Sequence, residues 1–299
     1  MYVKSLQLNA VDRYGCTPIH VACQFGNLEA VTLLLGKGAK FELKDENGDT
    51  PLHEACRNGN ESVVKELLEK MSKKRLYSGN LVFRNDSGLT PLHKACREGH
   101  TEVIKLLVKY SWNSRELVAA GDNDNATALH YACQKGDIEI ITTLLEEEAS
   151  IVAARCNGTT PLHTAAQVGR VDVMKQLLGK GGLREVRNII NVRDNYGQTP
   201  LHYATEYGHT DMIKFLLEKY AFQLSEFVTY HFTLYYREAK IDAKDIHFYT
   251  PLLTAAEVGQ PVAFKILLES GAKIKVKTKD RKSVLYLAAE SNHKEIIEV

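Results

Sequence analysis

The 299-residue chain is poor in several features that would place it quickly. Its six cysteines are too few for a disulfide-rich secreted scaffold. Four of them, Cys23, Cys56, Cys96 and Cys133, recur at one place in a repeated string, which argues further against a bridging framework. A reducing, cytoplasmic setting is expected. Net charge is nearly absent: 38 basic residues face 37 acidic ones, leaving +1. No overall field therefore calls for nucleic acid or an anionic membrane. No run of about 18 apolar residues occurs, so this segment is not expected to insert into a bilayer. The opening MYVKSLQLNA has no apolar stretch of the kind a secretory signal needs. Catalytic signatures are missing as well, with no G-x-S-x-G, no G-x-x-x-x-G-K-[ST] and no H-E-x-x-H. The chain is not expected to be an enzyme or to carry a cofactor or metal. Apolar residues still make up 44%, ample for a folded core, so a folded chain is expected.

What the chain does have is one string written many times. TPLHEAC at Thr50–Cys56 returns as TPLHKAC at Thr90–Cys96, with looser copies starting at Thr17, Thr127, Thr160, Thr199, Thr250 and Ser283. The intervals are 33, 40, 37, 33, 39, 51 and 33 residues, a 33-residue unit with insertions. Counting offsets from the Thr or Ser, each position has a physical purpose. Thr is a good helix N-cap, and Pro after it stands where a missing N–H costs nothing. Leu52, Ala55, Cys56 and Gly59, at offsets 2, 5, 6 and 9, share one face at 100° per residue. Gly at offset 9 suits a left-handed helix end. A second helix follows, with Val63, Val64, Leu67 and Leu68 at the 3.6-residue period. Gly two residues before the Thr, often with Asp or Asn three residues earlier, marks a tight turn.

A period of 33 with T-P-L-H-x-A is the ankyrin signature, and the chain resembles the ankyrin-repeat family from about Asn9 onward. The resemblance implies an all-α ankyrin-repeat solenoid, a curved stack of turn–helix–loop–helix units. About eight units are expected, starting near 12, 45, 85, 122, 155, 194, 245 and 278, with insertions near 71–81, 110–117, 180–190 and 219–247. The last unit stops at offset 16, before its Leu-Leu pair, and Leu8–Asp12 looks like the tail of an earlier unit, so a fragment of a longer array is expected.

The recurring His-x-x-Cys invites a metal-site reading, but packing explains it better. His at the third helical position can bond the capping Thr and the loop backbone. Cys lies on the Leu/Ala face and gives way to Ala166, Thr205, Ala256 and Ala289 in later copies, as a small core residue would. Cys16 and Cys156 lie outside that slot, in the turn region. Cys16 sits just ahead of a helix N-terminus and Cys156 beside Arg155; either neighbourhood can favour thiolate, so both are candidate reactive thiols. The basic run KIKVKTKDRK (Lys273–Lys282) reads as a solvated loop, with anionic lipid as the sharper alternative.

Ankyrin families bind proteins through turn tips and the inner face of the first helices. Offsets 4, 7 and 8, opposite the core face, give the candidate partner-binding residues Arg57, Lys94, Arg97, Tyr131, Lys135, Tyr203, Glu206 and Tyr207. Glu54 and Glu98 interrupt the basic stripe, which suits a protein or peptide better than a phosphate backbone. The insertion at 219–247 holds seven aromatics, Phe227, Tyr230, Phe232 and Tyr235 among them. Both a helical face and strand alternation fit it. Its rings either pack on the adjacent units or contact a partner or another part of the same polypeptide.

The stretches TALHYACQKGDIEIITTLLEEEASI and Tyr249–Val299 are also similar to the cytosolic arrays of transient receptor potential ankyrin-type cation channels. That resemblance implies a gating or assembly segment of a homotetrameric channel. Three readings compete: an interaction scaffold, a channel's cytosolic N-terminal segment, and the regulatory part of an enzyme.

Overall fold

A computed structural model describes residues 7–73, 81–180, 189–218 and 239–299. Among the described residues there are seventeen helices and no strand, only the isolated bridges Gly121–Thr127 and Lys277–Ser283. The chain forms two compact units, Met1–Ser150 and Ile151–Val299.

In the first unit the repeated string forms the helices Pro18–Gln24, Pro51–Arg57, Pro91–Glu98 and Ala128–Lys135, each packed on the next. Behind them run Leu28–Gly36, Glu61–Lys73, Thr101–Tyr110 and Ile138–Glu146, likewise in succession. The insertion near 110–117 contributes one more helix, Ser114–Ala119, packed against its neighbours by Leu117 and Val118. In the second unit the same roles fall to Pro161–Val168, Pro200–Glu206, Pro251–Val258 and Val284–Glu290, backed by Val171–Lys180, Thr210–Leu217, Pro261–Glu269 and Lys294–Ile297.

The helix starts follow from their caps. Thr50 is extended at φ −90 and ψ 165, Pro51 follows at the first position, and His53 closes a reciprocal capping pair with Thr50. That pair satisfies two amides a helix start would otherwise leave open, with His in the place usually given to Glu or Gln. Many first helices end on left-handed Gly, as at Gly99 with φ 89 and ψ 35. The offset 2, 5 and 6 side chains, Leu92, Ala95 and Cys96 for example, are fully buried, as are Val103, Ile104 and Leu107 on the partner helix. Each buried Leu or Ile contributes about 1.5–3 kcal/mol, and small Ala and Cys let neighbouring helices approach. One helix pair has nothing behind it to cover these side chains, so stacking is what completes the core.

The insertions near 180–190 and 219–247 lie largely outside the described residues, and so do Phe227, Tyr230, Phe232 and Tyr235.

Candidate protein-binding surface

Three lines of hydrogen bonds tie neighbouring repeats together, and they decide which side chains are left over. The first runs through the turns. Asp45 Oδ1 accepts from the amides of Asn47 and Asp49 at 2.9 and 2.8 Å, and Asp12, Asn85, Asp122, Asp194 and Asp245 shape their turns the same way. The turns that follow then each donate one backbone amide to the carbonyl of the turn before: Glu46 to Tyr14, Asp86 to Asn47 and Asn123 to Ser87 in the first unit. Asn195 to Asn157, Ile246 to Tyr196 and Lys279 to His247 do the same in the second.

The second line is histidine. The Thr50 amide donates to His53 Nδ1 at 3.1 Å, which places the ring hydrogen on Nε2, and Nε2 donates to the Leu89 carbonyl of the following repeat at 3.1 Å. His20, His93, His163 and His202 repeat this with the carbonyls of Asp49, Ala126, Gln198 and Tyr249. Burial favours the neutral ring, pulling His53 and His93 down to about 4 and His20, His163 and His202 in the same direction. Both ring nitrogens are engaged, and burial pushes the thiols of Cys23, Cys56, Cys96 and Cys133 up. Metal ligation needs a free imidazole nitrogen and a deprotonated thiol; these side chains are packed instead.

The third line was not foreseen from the sequence. The residue at offset 10 reaches back to the end of the previous first helix. Asn60 Nδ2 donates to the Cys23 carbonyl at 2.7 Å and His100 Nε2 to that of Arg57 at 3.0 Å. In the second unit His209, Gln260 and His293 donate to the carbonyls of Gln167, Glu206 and Glu257. These donors lie across the glycine at offset 9: a Cβ on Gly59 would stand 2.5 Å from His100 Nδ1. The readable signal was a column of side-chain N–H donors beside that glycine.

Against this frame the candidate residues separate. Arg57 pairs with Glu54 at 2.8 Å and Arg97 with Glu98 at 3.2 Å, both partly exposed, and Lys135 is exposed beside Gly99. Lys94, expected on the open face, is a correction. It is 6% exposed and its Nζ lies 2.7 Å from Asp49 Oδ2 in the preceding repeat's cap region. The cause is Asp49 itself, a buried carboxylate that also accepts from Asn85 Nδ2 at 2.8 Å and requires a counter-charge. Offset 4 is buried in other copies as well, at Glu54, Thr164 and Thr254. Tyr131 and Tyr203, at the same offset, are half-buried; their hydroxyls donate to Asp122 and Asp194 at 2.6 and 2.9 Å, and their rings stand edge-on to His93 and His163. The open positions are therefore offsets 7 and 8: Arg57, Arg97 and Lys135 in the first unit, Glu206 and Tyr207 in the second.

The carboxylates of Asp45, Asp49 and Glu54 lie within 4.8 Å of one another. Arg57 and Lys94 balance this cluster, and turn amides occupy Asp45. Cys16 is half-buried, and burial, then Asp12 and Asp45, push its thiol up. Cys156 is exposed in its turn. The run Lys273–Lys282 contains a turn closed by Thr278 and Lys282, and Lys282 pairs with Glu290 at 2.7 Å.

A family model described as ankyrin repeats matches the chain in three successive stretches, residues 2–78, 74–155 and 150–226. No curated protein matches it. With the 33-residue string, the paired helices and the linked turns, this match places the chain: it belongs to the ankyrin-repeat family.

Proposed function

We propose that the chain is a non-enzymatic scaffold of the cytoplasm that binds protein segments across its turn tips and the offset 7–8 rows of its first helices. One observation carries this reading. The bonds that link the turns and first helices use mostly backbone groups and buried or half-buried side chains, so the exposed positions stand on packed helices and remain open to contact something else. A protein partner fits better than nucleic acid, because Arg57 and Arg97 are each paired with a glutamate and form no unbroken basic track. Among the described residues no helix is long and apolar enough to cross a membrane.

The test is selection of peptides from a displayed library on the intact chain, followed by binding to a variant carrying Arg57→Glu, Arg97→Glu and Lys135→Glu and to one carrying Glu206→Lys and Tyr207→Ser. Selected peptides should lose affinity for at least one variant. Binding unchanged by both would remove this surface from consideration. The second reading, a segment of a homotetrameric transient receptor potential ankyrin-type channel, rests on the two similar stretches alone; six spanning helices downstream in the full reading frame would support it.

A further inference from the structure

Within Ile151–Val299 the exposed row has a composition of its own. Offset 7 holds Gln167, Glu206, Glu257 and Glu290, whereas the first unit has Gln24, Arg57, Arg97 and Gln134 there. Offset 8 holds Val168, Tyr207 and Val258, which are 37%, 47% and 42% exposed. These side chains sit on successive helices that pack on one another, so an apolar line runs beside an acidic one. The apolar line is held in place. Gln167 Nε2 donates to the Tyr207 hydroxyl at 2.8 Å, and the Tyr207 ring lies parallel to His209 at 6.3 Å.

The acidic line lacks counter-charge at its centre. Glu206 is half-buried and has no ion-pair partner among the described residues. Burial and the nearby Glu257 push its carboxyl up. Glu257 accepts from the Tyr249 hydroxyl at 2.7 Å, an uncharged donor. Of these three carboxylates, Glu290 alone has a cation among the described residues, Lys282. Two cations of this unit are directed elsewhere: Arg193 donates to the carbonyls of Gly197 and Lys244, and Lys244 lies over the Phe248 ring. A guanidinium or ammonium brought by a partner would relieve the repulsion between Glu206 and Glu257, with the gain enlarged by the partial burial of Glu206.

We propose that this row is a docking site for an extended peptide that alternates apolar and basic side chains, the apolar ones on Val168, Tyr207 and Val258 and the basic ones at Glu206 and Glu257. The spacing fits an extended chain. Packed helices lie roughly 8–10 Å apart, and a polyproline-II chain has three residues per turn with a rise of about 3.1 Å each, so every third side chain returns to the same face and meets a new helix. The inference rests on the scaffold reading above and deepens it by fixing the chemistry of one partner.

The probe is a fluorescein-labelled peptide of Leu-Arg-Ser repeats, followed by anisotropy, with Leu-Glu-Ser and Ser-Arg-Ser repeats as comparisons. The Leu-Arg-Ser peptide should bind best and weaken as salt rises. Its Kd should rise by roughly tenfold or more on Glu206→Gln with Glu257→Gln, and likewise on Tyr207→Ser. Thermal unfolding of both variants checks the fold, and Tyr207→Ser serves alone if the double variant misfolds. No binding of Leu-Arg-Ser, equal binding of Leu-Glu-Ser, or a smaller change in Kd would overturn the assignment. Should that happen while displayed peptides still bind the chain, the scaffold reading survives; should those fail too, both fall.

Discussion

His53 Nε2 lies 3.1 Å from the carbonyl oxygen of Leu89, 36 residues further along and in the next repeat. The same ring accepts from Thr50 at the start of its own helix. One side chain thus joins a helix start to a neighbour's loop. The variant His53→Leu tests its worth, since Leu253 fills the equivalent slot in the seventh copy. Volume is nearly kept, but the buried Thr50 amide loses its acceptor and the Leu89 carbonyl keeps only the Asn85 amide. A loss of about 2–4 kcal/mol is expected in urea unfolding. A change within about 0.5 kcal/mol would show that the bonds add nothing net.

Acid should weaken the stack. His20, His53, His93, His163 and His202 are all lowered by burial. Above about pH 6.5 these rings are neutral folded or unfolded, and their contribution is intact. As pH falls below that, the unfolded chain takes up protons that the folded chain refuses until about pH 4 for His53 and His93. Those two alone remove on the order of 3 kcal/mol each across that window. Glu54 and Glu206, raised by burial, act in the opposite sense. Urea midpoints should therefore drop between pH 7 and 4.5, and by less in His53→Leu; a flat profile would contradict the buried neutral rings.

The Lys94–Asp49 pair should show strong coupling. Lys94→Met leaves a buried carboxylate held only by Asn85 and is expected to cost about 3–5 kcal/mol. Asp49→Asn added to it should restore much of the loss, because Asn needs no counter-charge. Additive effects in that double-mutant cycle would mean the two groups do not meet.

Thiol labelling should be ordered by burial. Cys156 should react first with a disulfide reagent at pH 8, and Cys16, half-buried and raised, more slowly. Cys23, Cys56, Cys96 and Cys133 should react only on unfolding. Mass spectrometry of partly labelled protein reads the order; early labelling of Cys56 would be incompatible with the packed core.

The sequence revealed most where contacts were short-range and repeated. Thr50, Pro51 and His53 fall within one turn of helix, so the cap and its partner could be read together. The Leu52, Ala55 and Cys56 face could be read because eight copies obey one periodicity. Lys94 was misread for a definite reason. A single helix projected on its axis puts offset 4 on the open side, but the projection contains no neighbour, and the preceding repeat covers that side. The offset 10 bonds were missed because Asn60, His100 and Gln260 share only a side-chain N–H, and their acceptor is a backbone carbonyl that no alignment of side chains displays. Val168, Tyr207 and Val258 were visible as letters, but their exposure as one row required coordinates.

The bonds between turn tips have a consequence for how such a molecule can change. Their acceptors belong to Tyr14, Asn47, Ser87, Asn157, Tyr196 and His247, residues of unlike chemistry that all contribute the same peptide oxygen. The bond itself needs nothing that those residues carry beyond the peptide group. Mutation can rewrite the recognition edge letter by letter while the connection underneath persists, so new specificities are reachable without passing through an unfolded ancestor.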